Sequence, residues 1–375
     1  MIIASAPLTP ASSDIAATIA NTTRIPVNKP VAGRVSVIIA AYNCASTIAA
    51  AVQSCLDQTY TNTEIIVVDD GSNDATASVL DGFGSRIQII HQANGGLASA
   101  RNTGARAATG EFVAWMDGDD LAMPDRLAVQ AAALVALPDV VLVSSDFSAF
   151  TVAQEDFAGS YIGTYYNAIR QLGGATNIYP SIAQLTWSGQ YLAPPVSMRY
   201  GLVYKKLLHG NFVHPPTVMM RRHVFEVIGY FDESLRYNSD YDLIVRAARV
   251  GAFAFIEQSL LRYRLSSTQM SHAAAVGKIP LETAAILRKV QVDDPAIYAA
   301  HQALFRERVG QSLILAADGI AATNRRTAIV LLARGLRLHP LCHHAPRALA
   351  RVLAPEWAVA AVRRLKRMLR ERRQR

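Results

Sequence analysis

The sequence predicts an α/β protein with a doubly wound mixed sheet and flanking helices, followed by a C-terminal helical segment. Between residues 35 and 143, short apolar runs rich in β-branched residues alternate with Ala-rich segments of helical length. Such runs are typical of strands that helices cover on both faces, and the alternation favours parallel strands. From about residue 280 onward the pattern is helical only.

The elements follow one another in a regular order. Five apolar runs predict strands at 35–41, 64–68, 86–90, 111–116 and 140–143. The segments between them predict helices at 46–56, 74–80 and 97–108. Further helices are predicted at 241–250, 280–289, 301–317 and 325–338.

Three regions are expected along the chain. Residues 1–32 are rich in Ala, Ser, Thr and Pro and are predicted to form a mobile N-terminal arm. Residues 33–275 form the main α/β domain, and residues 276–375 form a helical region that ends in a basic tail. Within the main domain, residues 148–207 are predicted to form a partly irregular insertion beside the ligand-binding site. This insertion contains the aromatics Tyr161, Tyr165, Tyr166, Trp187 and Tyr191.

The composition excludes several classes of protein. The net charge is +8, but residues 345–375 alone hold ten basic and two acidic residues, so the rest of the chain is neutral. Because no basic face appears elsewhere, nucleic-acid binding is not expected. Three cysteines without pairing or metal-ligand spacing suit a reducing compartment. Neither a signal peptide nor an apolar stretch of the roughly 20 residues that span a bilayer is predicted.

Polar side chains follow three of the predicted strands. Tyr42 follows the first strand, residues 69–72 (Asp-Asp-Gly-Ser) follow the second, and residues 117–120 (Asp-Gly-Asp-Asp) follow the fourth. Ligands of open α/β sheets bind at the carboxyl ends of the strands, so we expect these side chains to meet at one edge. Carboxylates crowded in this way need a cation or hydrogen-bond donors. A divalent ion is the simplest explanation.

Asp117 and Asp119 are separated only by Gly118. Two carboxylates at this spacing can reach one Mg²⁺ or Mn²⁺ ion, which keeps coordination positions open for phosphate oxygens. The structural alternative is an acidic turn that caps the helix beginning near Pro124. The position directly after a buried strand favours the cation.

Asp70 and Arg101 each have two interpretations. Asp70 can accept the imide N–H of a uracil ring, or it can belong to a turn at Gly71 in which Ser72 or Asn73 caps the next helix. Arg101, on the helix that follows the glycine pair at 95–96, can neutralise diphosphate charge or lie on the helix surface. The glycine-rich run matches neither the dinucleotide nor the P-loop pattern, which counts against a dehydrogenase.

A second acidic site lies in the run 239–242, which reads Ser-Asp-Tyr-Asp. By helical spacing Asp240 shares the inward, apolar face of its helix. Asp242 instead lines up with Arg246 and Arg249, on a face that we expect to be solvated. Asp240 is therefore the acid that we expect to face a substrate. The alternative role for either acid is stabilisation of the helix dipole.

Together these motifs resemble the family 2 glycosyltransferases, which are inverting enzymes with a GT-A fold. The resemblance covers residues 33–147 and 208–270, about half of the chain, and the ordered set is far more specific than any single motif. It implies a GT-A-type sheet and the transfer of a sugar from a nucleotide diphosphate to an acceptor hydroxyl. The segments that carry it are 35–43, 66–76, 100–102, 110–113, 117–120, 216–219 and 240–243.

The resemblance implies a role for each candidate donor-site residue. Tyr42 and Asp70 would contact the nucleoside, with uracil the commonest base, and Arg101 would lie near the diphosphate. Asp117 and Asp119 would hold Mg²⁺ or Mn²⁺. The donor-binding set implied in this way is Ala41, Tyr42, Asp70, Arg101, Asp117 and Gly118.

On the acceptor side, Asp240 matches the second acid of the family's Glu–Asp pair, which acts as the general base. The sequence departs from the family pattern at Ser239, where Glu is usual, and at Ser266, where a His is common. It lacks the Gln-x-x-Arg-Trp signature of processive synthases, so we expect addition of a single sugar. The acceptor would be a saccharide or a lipid-linked molecule, in the synthesis of a cell-surface polysaccharide or glycolipid.

Two other functions fit parts of the pattern. A nucleotide-sugar nucleotidyltransferase uses a related sheet and metal, but ordinarily carries a Gly-rich basic loop after its first strand, where this chain has Tyr42-Asn43-Cys44. A non-catalytic sugar-nucleotide-binding or scaffold protein would not need the four acids at 70, 117, 119 and 240.

The basic tail is predicted to form an amphipathic helix. Trp357, Ala361, Leu365 and Met368 recur at near-helical spacing among arginines and lysines. Such a helix can lie on an anionic membrane surface, and the alternative is a solvated basic end. The expected location is therefore the cytoplasm, with peripheral attachment to the inner face of the membrane.

Overall fold

The computed structural model describes residues 30–151, 160–185, 195–266 and 277–354, together with the backbone of residues 3–4 and 156–157. The chain divides into two compact units, Met1–Ser267 and Thr268–Arg375. Most of the predicted N-terminal arm, the aromatics Trp187 and Tyr191, and the predicted tail helix lie outside the described residues.

The strands of the first unit form one mixed sheet, which confirms the predicted fold class. In chain order the described strands are β1 Ile3–Ala4, β2 Val31–Ala41, β3 Thr63–Asp69, β4 Gln88–His91, β5 Gly110–Asp117, β6 Leu121–Ala122, β7 Val140–Phe150, β8 Asp156–Phe157, β9 Ser181–Leu185, β10 Val196–Gly201, β11 Met219–Arg221 and β12 Ala252–Arg264. Across the sheet the order is β1-β9-β10-β12-β7-β11-β5-β2-β3-β4, with β6 beside β12 and β8 beside β7.

Helices connect and flank these strands. They are α1 Ile48–Leu56, α2 Thr76–Asp81, α3 Leu97–Ala107, α4 Arg126–Ala136, α5 Ile162–Tyr165, α6 Asn167–Gln171, α7 Ala175–Ile178, α8 Tyr204–Leu207, α9 His223–Ile228 and α10 Ser239–Ala247, with 3-10 turns at Gly84–Arg86 and Pro215–Thr217. The predicted helices α1, α2 and α3 are therefore present, with ends that differ by at most two residues from the prediction.

The central strands are buried on both faces, as their continuous apolar sequences predict. Val37, Ile38 and Ile39 on β2 are consecutive, so they point to alternate faces of the sheet, yet each is at most 1% exposed. On β5, Trp115 is fully buried. Burial of this kind requires cover on both faces of a sheet, which is the arrangement that parallel strands with crossover helices provide.

The order of the parallel strands creates a switch point beside β2. The chain lays down β3 and β4 on one side of β2, and then returns to place β5 on the other side. Ala40 pairs with Asp117 across β2 and β5, and Ala41 pairs with Asp69 across β2 and β3. The carboxyl ends of the three strands therefore lie in one row, where ligands of open α/β sheets bind.

Residues 148–207 are more regular than the sequence predicts. β7 continues to Phe150 rather than ending at 143, and β9 and β10 pair antiparallel and extend the sheet beyond β12. On β10, Val196, Met198 and Tyr200 are buried while Ser197 and Arg199 are partly exposed. This alternation belongs to an antiparallel strand with one solvated face, so it lacks the continuous apolar run that marks the central strands.

The second unit is helical in its described part, as the sequence predicts. Its helices are α11 Lys278–Asp293, α12 Pro295–Ala300, α13 Gln302–Ile320, α14 Arg325–Leu338 and α15 Ala345–Leu353. Side chains cap two of them: Asp294 accepts from the Ile297 amide at 3.0 Å, and Asn324 accepts from the Thr327 amide at 3.1 Å. No helix in the described ranges combines the length and the hydropathy needed to cross a bilayer.

Two glycines allow α13 and α14 to pack closely, which gives a stability prediction. A Cβ on Gly335 would lie 2.7 Å from Ile314 Cγ1 and 2.9 Å from the carbonyl oxygen of Gly310. We expect Gly335→Ala to lower the free energy of unfolding by about 1–3 kcal/mol through overpacking, despite the better helix propensity of alanine. Gly163→Ala is the control, because a Cβ there meets nothing within 4 Å. Equal urea midpoints for both variants and the wild type would contradict the prediction.

Candidate active site

The site begins where β2 and β3 end. Ala41 is buried, and its carbonyl oxygen accepts a hydrogen bond from the Asp70 amide at 2.9 Å. Tyr42, the next residue after β2, is 50% exposed. An aromatic ring at the open end of a buried strand is available to contact a ligand. The backbone thus brings Ala41, Tyr42 and Asp70 together, and their role in nucleoside binding stays a prediction.

The turn after β2 is tied to the turn after β3. Asn43 has a positive φ of 49°, a conformation that asparagine adopts more readily than most residues. Its amide donates to Ser72 Oγ at 3.0 Å, and its Oδ1 accepts from the Asn73 amide at 2.9 Å. The next helix has Ala75 as its N-cap residue and no side-chain cap, while Asp74 Oδ1 accepts from the Thr76 amide at 2.9 Å in the turn before it. Ser72 therefore joins the two strand ends rather than capping α2.

The carboxylate of Asp70 organises the glycine-rich loop before α3. Its Oδ1 accepts from Gln92 Nε2 at 2.7 Å and from the Gly95 amide at 2.9 Å, while Oδ2 accepts from the Gly96 amide at 2.8 Å. Gly96 has a φ of 88°, which favours glycine at this position. Asp70 is only 3% exposed. The sequence pattern did not predict that this carboxylate also holds a loop.

Arg101 and Asp117 form an ion pair at the end of β5. Arg101 Nη2 lies 2.8 Å from Asp117 Oδ1. The guanidinium packs over Trp115 and Phe231, with its Cζ atom 5.9 and 5.7 Å from the two ring centroids. Arg101 is 3% exposed, so the surface position considered for it is wrong. The bond to Arg101 is made by Asp117 Oδ1.

Arg101 is held in place through its neighbour. The side-chain amide of Asn102 donates to the Phe231 carbonyl at 3.0 Å and to Glu233 Oε1 at 2.7 Å, and its Oδ1 accepts from the Phe231 amide at 2.8 Å. These bonds fix the loop that carries Phe231 against the Arg101 side chain. The Ala-Arg-Asn tripeptide at 100–102 thus serves both the site and the loop that supports it.

The acids after β5 are crowded and incompletely neutralised. Burial, together with the charge of Asp117, raises the pKa of Asp119 to about 6. Burial and the charges of Asp119 and Asp117 raise the pKa of Asp120 well above its usual range. The Arg264 amide donates to Asp120 Oδ1 at 2.9 Å, but Asp120 Oδ2 has no partner in the described part of the chain. An excess of negative charge of this kind is what a divalent cation relieves.

The turn itself brings these acids to the strand end. A Cβ on Gly118 would lie 3.1 Å from Cys44 Sγ and 3.3 Å from the Ala40 carbonyl oxygen, and Thr47 Oγ1 donates to the Gly118 carbonyl at 2.9 Å. Helix α4 begins only at Arg126, with Asp125 as its N-cap residue. The alternative in which the acidic run caps this helix is therefore wrong.

Asp240 lies in the first turn of α10 and is partly exposed. Burial raises its pKa, the charge of Arg101 opposes the rise, and the charge of Asp117 adds to it. Asp240 is thus within electrostatic reach of the Arg101–Asp117 pair. The inward position predicted for Leu243 and Ile244 is confirmed, since both are fully buried.

The solvated position predicted for Asp242 is wrong. Asp242 is 2% exposed, and its Oδ2 lies 2.6 Å from Arg246 Nη2 and 2.8 Å from Arg246 Nε. Arg246 also donates to the carbonyl oxygens of Ile228 and Tyr230. The loop after α9 therefore covers a helix face that the helical pattern alone leaves open. Asp242 has a structural role in this arrangement.

An aromatic cluster borders the acids, and the sequence pattern did not single out its central residue, His214. Its ring stacks on Phe147, with centroids 4.0 Å apart and an angle of 19°, and lies 4.9 Å from the ring of Tyr263. Tyr166 Oη is 3.2 Å from His214 Nδ1. The charges of Asp240 and Asp117 contribute to the raised pKa of Tyr166, after burial and Tyr165. The Tyr166 phenol thus lies near both acids.

The surroundings of the His214 ring favour its neutral form. Burial, with the charges of Arg101 and Arg126, lowers its pKa to about 3. Its Nε2 has no hydrogen-bond partner within the described ranges. The signal that could have identified it is a histidine before two prolines, Pro215 and Pro216, which form a fixed turn just ahead of β11.

The residues present fit a cation that completes its coordination with substrate. Among the described residues, no group of three or more His, Cys, Asp or Glu side chains forms a metal site by itself. Mg²⁺ is commonly bound by one or two carboxylates together with substrate phosphates. The chemistry at Asp117 and Asp119 agrees with such a site, since their negative charge is only partly neutralised.

Comparison with known proteins adds independent information. Residues 36–229, just over half of the chain, match the family described as Glycosyl transferase family 2. An uncharacterized glycosyltransferase of Rickettsia typhi is 32% identical over 247 residues, which are 64% of this chain and 66% of that protein. The match to a Rickettsia felis glycosyltransferase spans only 35% of that protein. ExoO, a succinoglycan biosynthesis protein of Rhizobium meliloti, is 27% identical over 340 residues, covering 84% of this chain and 91% of ExoO.

Among solved structures, S. aureus TarS is similar with a TM-score of 0.53 and 16% identity, covering 82% of this chain and 49% of TarS. TarS 1-349 is similar with a TM-score of 0.51 and 17% identity, covering 85% of this chain and 89% of that structure. At this identity the likeness concerns the fold, which is of the GT-A type. The match over residues 36–229 and the switch-point sheet agree with each other: the chain belongs to glycosyltransferase family 2.

Proposed function

We propose that the chain is an inverting, metal-dependent glycosyltransferase that moves a sugar from a UDP-sugar to an acceptor hydroxyl. The observation that supports this most is the meeting of three distant segments. Arg101 bonds to Asp117 at 2.8 Å, and the charges of both act on the carboxyl group of Asp240. A cation for phosphate, a candidate metal ligand and a candidate base thus share one site. Family membership supports glycosyl transfer in general.

The donor would bind across the ends of β2 and β3. An ionised carboxylate has about four acceptor positions, and Asp70 uses three of them for Gln92, Gly95 and Gly96. One position remains for the imide N–H of a uracil ring. The half-exposed Tyr42 next to it supplies a ring for stacking on the base. Binding of the nucleoside and order in the glycine loop would then be coupled through Asp70.

The diphosphate would lie over the ends of β2 and β5. Asp117 and Asp119 would hold Mg²⁺ or Mn²⁺, which when bound stabilises the charge on the leaving diphosphate. Arg101 would contribute a fixed positive charge, because its guanidinium group is held in one position by packing against Trp115 and Phe231. Gly118 allows the turn to pack closely against the end of β2, since a Cβ there would lie 3.3 Å from the Ala40 carbonyl oxygen.

Asp240 would act as the general base on the acceptor side. The acceptor oxygen attacks the anomeric carbon while its proton passes to the Asp240 carboxylate, and the bond from that carbon to the diphosphate oxygen breaks. A single displacement of this kind inverts the configuration of the sugar. The base needs a pKa nearer to neutral than that of a free aspartate, and burial shifts the pKa of Asp240 in that direction.

The aromatic cluster would form the acceptor wall. Tyr165 is 38% exposed, and Tyr166 lies within electrostatic reach of Asp240. Tyrosine rings with polar edges suit a saccharide or a lipid-linked sugar acceptor. The similarity to ExoO over most of both chains supports a role in cell-surface polysaccharide or glycolipid synthesis. Acceptors of this kind are often membrane-bound. We therefore infer a cytoplasmic location at the inner face of the membrane.

A screen of nucleotide sugars tests this function. We expect one UDP-sugar to raise the melting temperature only when Mn²⁺ or Mg²⁺ is present, and UDP to be released when an acceptor is added. Production or consumption of pyrophosphate instead would indicate a nucleotidyltransferase. Binding without any metal-dependent donor hydrolysis or transfer would indicate a non-catalytic protein.

A further inference from the structure

The outer face of α14 has an unusual composition for a surface helix. Its buried side holds Ala328, Leu331, Leu332 and Gly335. The opposite side carries Ile329 and Val330, which are 44% and 50% exposed. Arg326, Arg334 and Arg337 are exposed on the same side, and Leu341, just after the helix, is 91% exposed. We call Arg326, Ile329, Val330, Arg334, Arg337 and Leu341 the α14 stripe.

The charge of the α14 stripe is of one sign. Helix α14 contains four arginines and no acidic residue, whereas exposed helices usually mix both signs. Within the described residues, Arg334 and Arg337 form no ion pair or hydrogen bond. The one ion-pair cluster of α15 uses different arginines, Arg347 and Arg351, which both bond to Asp318.

A shallow hollow lies beside the stripe. It has a volume of about 350 Å³ and is lined by Arg288 of α11 and by Arg334, Arg337 and Leu338 of α14. Its wall is almost entirely hydrocarbon, so the arginines contribute their aliphatic stems. Arginine stems that cover apolar surface while the guanidinium groups stay at the rim suit an amphiphilic, anionic partner.

Two classes of partner carry negative charge and apolar surface: an anionic bilayer and an acidic protein. Protein interfaces are enriched in aromatic residues, methionine and arginine, and of these the stripe has only arginine. Basic side chains without acidic neighbours are attracted to anionic lipid by about 1 kcal/mol each, and exposed aliphatic side chains beside them can enter the interfacial layer. The observations therefore favour the bilayer.

We propose that the α14 stripe, with the hollow formed by Arg288, Arg334 and Arg337, binds the surface of an anionic phospholipid bilayer. The stripe shares no residue with the predicted basic tail helix or with the acidic site, so the inference does not depend on the proposed function. The guanidinium groups would contact lipid phosphates while Ile329 and Val330 enter the interfacial layer.

Sedimentation of the full chain with vesicles tests the proposal. The vesicles contain phosphatidylcholine with or without phosphatidylglycerol, and the tail is left unchanged in every variant. We expect Arg334→Gln/Arg337→Gln to bind anionic vesicles about 10- to 30-fold more weakly than the wild type, since two charges at the lipid surface are lost. Ile329→Ser/Val330→Ser should also weaken binding, without a change in charge.

A matched control removes two exposed positive charges elsewhere, in Lys205→Gln/Arg306→Gln, and should bind like the wild type. Equal melting temperatures would show that all three variants are folded. Wild-type-like binding by either stripe variant would overturn the proposal, as would equal binding of the wild type to neutral and anionic vesicles. Retention on immobilised polyglutamate without vesicle binding would assign the stripe to an acidic protein instead.

Discussion

Replacing Asp240 by asparagine is expected to lower kcat about 10²–10⁴-fold, the usual contribution of a general base, while donor affinity stays close to that of the wild type. Asparagine preserves the shape of the side chain but cannot accept the acceptor's proton. The candidate donor contacts lie at the ends of β2, β3 and β5, so the change removes none of them. Steady-state turnover and a calorimetric titration with donor measure the two quantities separately.

Asp242→Asn is the matched control for this variant. Asp242 lies two residues further along α10, but its carboxylate is buried against Arg246, 2.6 Å away. We expect this change to lower the free energy of unfolding by about 1–3 kcal/mol, because charge-assisted hydrogen bonds are weakened, and to leave kcat nearly unchanged. Wild-type turnover in Asp240→Asn, or a larger loss of kcat in Asp242→Asn, would remove Asp240 from the mechanism.

The pH dependence of kcat/KM should also identify Asp240 as the general base. A general base works in its ionised form, so activity is lost as the pH falls through its pKa. Burial raises the pKa of Asp240, and we therefore expect the acid limb of the kcat/KM profile to lie above the usual range of an aspartate. The limb should disappear from the residual activity of Asp240→Asn. A limb at the same pH in both proteins would assign it to another group.

The fold could be predicted where one physical signal dominates. The central strands are continuous apolar runs, and burial on both faces leaves no other arrangement for Val37, Ile38 and Ile39. Strands with one solvated face carry a weaker pattern, which is why the sequence predicts an irregular insertion where β9 and β10 lie. The strand ends were predictable for the same reason as the strands, since parallel neighbours must end in one row.

The environment of single side chains could be predicted less well. The helical pattern gave the right face for Leu243 and Ile244, but it could not show that the loop at 228–230 covers Asp242 and its partner Arg246. Burial of Arg101 depends in the same way on Phe231, a residue 130 positions away in sequence. Contacts of this kind arise from tertiary packing, and no local spacing encodes them.

His214 illustrates a different limit. A single histidine in a sequence gives no sign of its surroundings, and its importance comes from four aromatic neighbours supplied by β7, α5, the residue after α5, and β12. The proline pair after it explains why the backbone is fixed there. Only the assembled fold explains why the pKa of its ring is lowered and why its Nε2 lacks a partner among the described residues.

Replacing Asp119 by asparagine is expected to reduce metal-dependent UDP release at least about 100-fold, because a divalent ion contributes several kcal/mol of charge stabilisation. The fold should be unaffected, or slightly more stable without metal, since a partly buried carboxylate whose pKa burial and Asp117 raise is removed. The stabilisation that Mn²⁺ and donor together give to the wild type, measured by thermal unfolding, should be lost.

Asp117→Asn distinguishes the predicted role of Asp117 in metal binding from its role in the ion pair with Arg101. Like Asp119→Asn, it should lose the joint stabilisation by Mn²⁺ and donor. Unlike Asp119→Asn, it also weakens the bond to the buried Arg101, so we expect its free energy of unfolding without metal to fall by about 1–3 kcal/mol. Asp57→Asn, which affects an exposed acid bonded to Gln53, is the control for the loss of one negative charge. If Mn²⁺ still stimulated UDP release in both Asp117→Asn and Asp119→Asn, the cation would have to bind elsewhere, and the acids after β5 would serve the fold alone.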